Sequence, residues 1–394
     1  VKLSDRVKRI KPSPTLAITA RAAQLRAEGK DIIGFGAGEP DFDTPDPVKQ
    51  AAIKAINDGF TKYTAVAGTA ELKQAVINKF ARDNGFNYKP NQILVSVGGK
   101  QSFYNLAQAL LSEGDEVIIP APYWVSYPDM VLLADATPVI VPCEIDQGFK
   151  MTPAQLEAAI TPNTRLVVLN SPSNPTGAMY NRDELAALGE VLLKHPQLIV
   201  ASDDIYEHIL LGDKPFCNIL MACPALVDQA IILNGVSKAY SMTGWRIGYA
   251  AGPEPLITAM KDIQSQSTSN PTSISQVAAQ AALEGDQGFI EMMNVAFRER
   301  HTFVVDSLNA LPGVECLRSD GAFYAFPKMT AAIAAMDGID DDVAFGEYLI
   351  NEAGVALVPG SAFGAPGYMR LSFATSMEKL QKGMQRITAA LTGA

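Results

Sequence analysis

Lys238 and Arg246 close a short segment, Ser237–Arg246 (SKAYSMTGWR), that is dense in residues uncommon on surfaces. A lysine amine can form a Schiff base with a carbonyl, and a guanidinium can hold an anion through paired hydrogen bonds. Elsewhere, Asp203 and Tyr206 offer a carboxylate and a phenol, and Asn174 offers an amide within Asn174-Pro175-Thr176-Gly177. Gly98-Gly99-Lys100-Gln101 opens a helical pattern whose first amides can receive a phosphate. Each grouping alone has a plain structural reading: a turn for Gly98-Gly99 and for the Asn174 motif, a helix cap for Asp203-Asp204, a surface lysine for Lys238.

What joins them is the pattern that must position them. Continuous apolar runs recur at Ile93–Val97, Glu116–Ile119, Pro138–Val141, Leu166–Leu169, Leu198–Ala201 and Ala230–Leu233, with helical patterns between several of them. Runs that do not alternate suit strands covered on both faces, as in a parallel sheet with crossover helices. Ligands of such sheets collect beyond the carboxyl ends of the strands. Four strand ends then deliver the helix start at Gly99, the amide of Asn174, the Asp203–Tyr206 pair and Lys238 with Arg246 to one place. The pattern predicts an α/β domain over 45–285. A smaller α+β domain is expected from 286–394 together with 1–44, whose Pro- and Gly-rich stretch joins it.

Nucleotide sites fit poorly. There is no G-x-x-x-x-G-K-[ST], and Gly34-Phe35-Gly36-Ala37-Gly38 runs into Glu39-Pro40-Asp41 rather than a helix. Pyridoxal phosphate accounts for all the groups. It needs a lysine for its aldehyde, a buried carboxylate for its ring nitrogen, donors for its 3-oxygen and an anion site for its phosphate. Trp124, after the strand Glu116–Ile119, is placed to stack on the ring, although one of two tryptophans can equally be core.

Composition removes other classes. The 394 residues carry 32 basic and 42 acidic side chains, a net charge of −10 that disfavours nucleic-acid partners. The four cysteines (143, 217, 223 and 316) form no C-x-x-C, and three histidines form no cluster, so neither disulfides nor a metal site is expected. No apolar run reaches the roughly 18 residues of a membrane span, and Val1–Pro14 has no signal-peptide core, which predicts a cytoplasmic protein without a membrane partner.

The sequence resembles the class I aminotransferases of PLP fold type I, and among them bacterial aspartate and aspartate/prephenate aminotransferases. The motifs that carry the resemblance span the chain. They are Gly38–Pro45 (GEPDFDTP), Lys62-Tyr63-Thr64 with Gly68, Gly98–Gln101, Pro122-Tyr123-Trp124, Asn174–Gly177, Asp203–Tyr206, Ser237–Arg246 and Tyr368–Phe373 (YMRLSF). The resemblance implies a mostly parallel seven-stranded sheet between helices in the large domain. It also implies a homodimer with shared active sites, working on small amino acids and 2-oxo acids. By the same resemblance Lys238 carries the cofactor and moves the substrate proton, and Asp203 pairs with the ring nitrogen. Asn174 and Tyr206 bind the 3-oxygen, while Trp124 stacks on the ring. Gly99, Lys100, Gln101, Ser237 and Arg246 receive the phosphate, with Tyr63 reaching the neighbouring subunit's phosphate. Arg370 clamps the substrate α-carboxylate with Asn174 and the Gly38 backbone. One departure concerns the phosphate: many relatives carry Ser or Thr three residues before the lysine, and here Gly235 stands there, leaving its N–H or Ser237 as substitutes.

For a second carboxylate on the substrate, one branch of the family uses an arginine from the partner, and Gln264–Ser275 contains none. The other branch uses the lysine after Gly-Gly, here Lys100, with a hydroxyl near Thr15; Thr15 reads equally as a helix cap. This pairing implies aspartate as amino donor, 2-oxoglutarate as acceptor, and room for prephenate. Rival readings are an aromatic or kynurenine-type aminotransferase, a C–S lyase or an aminocyclopropane-carboxylate synthase of the same fold. A PLP-binding transcription factor lacks its N-terminal basic region here, and a Rossmann dehydrogenase lacks its fingerprint.

Overall fold

The structure is a computed structural model that describes residues 1–12 and 17–393, with the backbone alone for 14–16. Twelve strands occur in chain order: β1 (Ile33–Gly34), β2 (Ile93–Ser96), β3 (Glu116–Ala121), β4 (Thr137–Pro142), β5 (Thr164–Asn170), β6 (Ile199–Asp203), β7 (Ala230–Gly235), β8 (Gly248–Ala251), β9 (Tyr324–Ala325), β10 (Val355–Ala356), β11 (Val358–Pro359) and β12 (Met369–Ser372).

Seven of them form one sheet in the order β2-β8-β7-β6-β5-β3-β4. β4, β3, β5, β6 and β7 run parallel, and β8 is antiparallel to both β7 and β2, so six strands point one way and β8 the other. Both faces are buried, as the unbroken apolar runs require. Ile118, Val167, Val200 and Ile232 pack into the core on one side, and Val117, Val168, Ala201 and Ile231 into the core on the other. The expected strands appear at their places with ends shifted by at most two residues. β8 (GYAA) was not foreseen, because Gly and Ala carry little β propensity. Its reversal matters for the site: Arg246 and Ile247, which lead into β8, lie at the same edge as the carboxyl ends of β2, β5, β6 and β7.

The remaining strands are short. β1 pairs in parallel with β10, and β11-β12-β9 is an antiparallel sheet. The helices Gly288–Asn309 and Met377–Thr392 cover them through Phe297, Val304, Val305, Leu380, Met384 and Ile387. Gly321–Phe326 contributes only Tyr324–Ala325 as strand, and Val314–Leu317 only the isolated bridge Glu315↔Lys328.

Candidate active site

A cavity of about 410 Å³ opens where the strand ends of the large sheet meet the segment Ala37–Glu39 and Arg370 of β12. Gly38, Gly99, Lys100, Trp124, Asn174, Asp203, Tyr206, Ser237, Lys238, Arg246 and Arg370 all line it. These residues are spread over more than 330 positions of sequence, so the fold, not local spacing, assembles them.

Lys238 follows β7 through Val236 and Ser237. Its Nζ donates to the Gly38 carbonyl and lies 5.9 Å from the centre of the Tyr206 ring. Burial lowers its pKa from 10.5 to about 8; the charge of Glu39 opposes this, while Arg370 and Arg246 add to it. A large fraction of this amine is therefore neutral, and nucleophilic, near pH 8.

Asp203 ends β6. Tyr127 Oη donates to its Oδ2 at 2.5 Å and the Ile205 amide to its Oδ1 at 3.3 Å. Burial pushes the carboxyl up to about 6 against these donors, so it is mostly ionised at neutral pH and attracts a cation or a protonated ring nitrogen. Asn170, at the end of β5, ties Asp203 to Asn174. Its Nδ2 donates to the Asp203 carbonyl at 2.9 Å, and its Oδ1 accepts from the Asn174 amide at 2.9 Å. Asn174 Oδ1 in turn accepts from Arg370 Nη1 at 2.8 Å, which leaves its Nδ2 for a ligand.

Arg370 is only 2% exposed. Nη2 donates to the Gly36 carbonyl at 2.7 Å, the guanidinium sits 4.7 Å from the Tyr324 ring and 5.0 Å from that of Phe363, and the buried Nε has no partner. A buried cation with an orphaned donor and no carboxylate bound to it is poised for an anion from outside.

The helix Gly99–Leu110 opens at the cavity, which Gly99 and Lys100 line. The Gln101 and Ser102 amides donate to the Gly98 carbonyl at 3.0 and 3.3 Å, which leaves those of Gly99 and Lys100 for an anion. Gly98 precedes it with φ +83°, and a Cβ there would lie 2.5 Å from Arg246 Nη2. Arg246, itself at φ 57°, donates to the Thr243 carbonyl at 2.9 Å. Gly248 also has no room for a side chain, because its Cβ would meet the Gly99 nitrogen at 2.3 Å. These glycines let a cation and a helix start converge on one small anion. The donor set fits pyridoxal phosphate: a lysine of lowered pKa, an ionised carboxylate opposite a phenol and an amide, and a phosphate-sized cradle.

Gly235 is not in that cradle. Its N–H is taken by Asn234 Oδ1 at 2.7 Å, and it pairs with Gly248 in a space where a Cβ would lie 2.9 Å from the Ile247 carbonyl. Ser237, which does line the cavity, is the candidate that remains. Gln101, expected at the phosphate, does not line the cavity: its side chain accepts from the Val97 amide at 2.6 Å and donates to Thr268 at 2.7 Å, and its own amide donates to the Gly98 carbonyl at 3.0 Å. Trp124 stands edge-on to Tyr127 at 5.1 Å, and Lys100 Nζ lies 5.3 Å from the Trp124 ring. Burial and Arg246 lower the Lys100 pKa. Tyr63 is not brought to the cavity of its own chain and is 92% exposed. The side chain of Thr15 lies outside the described residues, whereas Thr19, one helical turn on, lines the cavity.

Sequence reasoning missed Tyr127 and Tyr324: Tyr324 sits inside the apolar run Gly321–Phe326 and Tyr127 between Ser126 and Pro128, and neither position carries a signal. Asn170 stands directly past the run Leu166–Leu169, where a site residue is expected.

Behind the site lies a second polar cluster. Lys79, on the helix Ala70–Asn84, pairs with Glu207, which also accepts from Asn84 at 3.0 Å and Asn234 at 2.6 Å. Asp83, Glu207 and His208 come close enough to hold a metal ion. The Lys79 ammonium already neutralises that spot, so the cluster reads as structural.

Comparison with known proteins agrees with this geometry. The family model Aminotransferase class I and II matches residues 30–387. The aspartate/prephenate aminotransferase of Nitrosomonas europaea is 60% identical over the full length of both chains. The aspartate aminotransferase of Geobacillus stearothermophilus is 53% identical over 98% of each. Among solved structures, the aspartate aminotransferase of Rhizobium meliloti superimposes with a TM-score of 0.96 at 48% identity over 99% of both chains. That of Thermus thermophilus with maleate gives 0.93 at 44% identity over 99% of this chain and all of the other.

Proposed function

The chain belongs to the class I and II aminotransferases, whose cofactor is pyridoxal phosphate, and on that premise we propose that it transfers the amino group of L-aspartate to 2-oxoglutarate. The products are oxaloacetate and L-glutamate, and prephenate is a second acceptor, as the names of the curated relatives suggest. The observation that carries the reading is one cavity lined by a lysine of lowered pKa, an ionised aspartate and a buried arginine with an unpaired donor.

When bound, pyridoxal phosphate supplies an electron sink for the carbanion formed at the substrate's Cα. The chain supplies the rest. Arg370 receives the α-carboxylate with its free donors, with Asn174 and the Gly38 backbone beside it. This would fix the Cα–H against Lys238, whose Nζ, as a neutral amine, would remove the Cα proton. Asp203 would keep the ring nitrogen protonated, Asn174 Nδ2 and Tyr206 Oη would hold the 3-oxygen, and Trp124 would cover the ring. The first amides of the helix Gly99–Leu110, those of Gly99 and Lys100, would hold the phosphate with Ser237 and Arg246. Lys100, at the cavity wall beside Trp124, takes the distal carboxylate with Thr15. The Thermus relative's complex with maleate, a dicarboxylate, supports a two-carboxylate substrate.

The exposure of Tyr63 supports a homodimer in which each subunit's Tyr63 completes the other's phosphate site. On this reading 45–285 is the large domain and 1–44 with 286–394 the small one, in a cytoplasmic enzyme. No helix of the described residues is long and apolar enough to cross a membrane. Initial rates with aspartate and 2-oxoglutarate varied together should give parallel double-reciprocal lines, as two separate half-reactions require. Intersecting lines would mean that both substrates must bind together and would contradict separate half-reactions, whereas release of pyruvate or ammonia would favour a lyase.

A further inference from the structure

Tyr206 and Tyr324 share one hydrogen bond, with their phenol oxygens 2.8 Å apart and both side chains buried. A phenol has one proton to give and lone pairs to accept with. If Tyr206 gives its proton to the cofactor's 3-oxygen, the proton between the two phenols belongs to Tyr324. The direction of the bond is then fixed: Tyr324 Oη donates, Tyr206 Oη accepts and passes its own proton forward.

The other side of Tyr324 faces the substrate site. Its ring lies 4.7 Å from the Arg370 guanidinium, and the strands that carry the two residues are neighbours, with Ser372 opposite Tyr324 and Leu371 opposite Ala325. Its hydroxyl also sits where a Cβ on Gly38 would come within 3.1 Å, next to the carbonyl that accepts from Lys238. One side chain thus touches the arginine for the α-carboxylate with its face and the phenol for the cofactor with its oxygen.

We infer that Tyr324 is a positioning residue of the reaction: its hydroxyl polarises Tyr206 toward the cofactor's 3-oxygen, and its ring seats Arg370. The inference rests on the cofactor role proposed for Tyr206. A hydroxyl that accepts a hydrogen bond donates a stronger one, by about 10–30%. A stronger donor stabilises the anionic 3-oxygen and lowers the pH at which the cofactor–Lys238 linkage gives up its proton. Four charged groups face the two phenols from the surrounding elements: Arg370 from β12, Glu39 from the segment before the large sheet, Asp203 from β6, and Lys238 after β7. Tyr324→Phe leaves all four in place and removes one oxygen.

The test is an absorbance titration of the PLP-loaded protein against pH, in wild type, Tyr324→Phe, Tyr206→Phe and the double variant, with PLP dissociation measured alongside. Tyr324→Phe should raise the midpoint by a few tenths of a unit, in the same direction as Tyr206→Phe but by less, and should loosen PLP by about 2-fold. In the Tyr206→Phe background it should do nothing further. Tyr324→Leu should add a rise of about 3–10-fold in KM for aspartate, because the ring is lost from Arg370. A midpoint unmoved by Tyr324→Phe, or moved equally with and without Tyr206, overturns the relay. If Tyr206→Phe itself leaves midpoint and PLP affinity unchanged, the role of Tyr206 fails instead, and the relay falls with it.

Discussion

The stretch Asp203–His208 serves two buried polar clusters at once, and they are finished to different degrees. Asp203 and Tyr206 face the cavity, together with Lys238 and Arg370. There the carboxyl is pushed up, the amine pushed down, and Arg370 Nε has no partner. Asp204 and Glu207 face the interior behind it. Asp204 accepts from Ser202 and Asn218, each at 2.7 Å, and Glu207 is matched by Lys79, Asn84 and Asn234. Burial raises the Glu207 pKa, but Lys79, His208 and Asn84 together more than offset it, so the net shift is downward. The back cluster has its partners; the front cluster waits for them from a ligand. A buried charge that lacks a partner costs stability and is kept where function needs it, whereas a matched one holds the chain in place.

Two buried lysines give the sharpest contrast, because the same substitution should act oppositely. Lys238→Met should abolish turnover, the proton transfer alone accounting for about 10²–10⁴-fold. It should not lower the urea midpoint of the apoprotein at pH 7. The folded-state pKa of Lys238 lies near 8, below its value of 10.5 in the unfolded chain. Its charge therefore opposes folding in full below pH 8, and that penalty fades as the pH rises from 8 toward 10.5. Lys79→Met, by contrast, strands Glu207 and should cost about 3–5 kcal/mol in urea unfolding. A stability loss at 238 equal to that at 79 would erase the distinction between the clusters.

Arg370→Leu should raise KM for every amino donor, by about 10²-fold for the loss of paired charge-assisted bonds. Steady-state kinetics with aspartate and alanine check it, and a loss confined to aspartate would move Arg370 to the distal carboxylate. Lys100→Ala is expected to be smaller and selective, about 10-fold in kcat/KM for aspartate with alanine spared. A uniform loss would show that Lys100 serves the phosphate alone. The smallest effect is on rate: capture of PLP by the apoprotein should climb with pH and level off near pH 8, where the Lys238 amine becomes neutral. A rate still climbing to pH 10 would mean the amine is not depressed.

The front cluster was legible in the sequence and the back one was not, for a physical reason. Parallel strands buried on both faces write themselves as apolar runs, and the residues just past each run are delivered to one edge of the sheet. Asp203, Asn174, Lys238 and the Gly98-Gly99 turn could be placed by that rule alone. Lys79 and Glu207 are 128 positions apart in sequence and meet only through helix packing. A signal did exist: Leu72, Ala75, Val76, Lys79 and Phe80 share one buried stripe of their helix, and a lysine on that stripe demands a partner. Tyr127 and Tyr324 gave none: Tyr324 lies inside an apolar run and Tyr127 in no motif, and a buried tyrosine reads as core until its hydroxyl is seen to bond. Tyr63 marks a different limit: it does not line its own chain's cavity, and the phosphate role proposed for it requires a second subunit.

The central claim is that this cavity moves an amino group from aspartate onto its cofactor and stops there until an oxo acid arrives. Single-turnover mixing of the PLP-loaded protein with L-aspartate, without an acceptor, tests it directly. One oxaloacetate should appear per cofactor as the cofactor's absorbance shifts to that of its amine form, and 2-oxoglutarate should restore the original spectrum. An unchanged spectrum, or continued release of pyruvate or ammonia past one equivalent, would contradict the account.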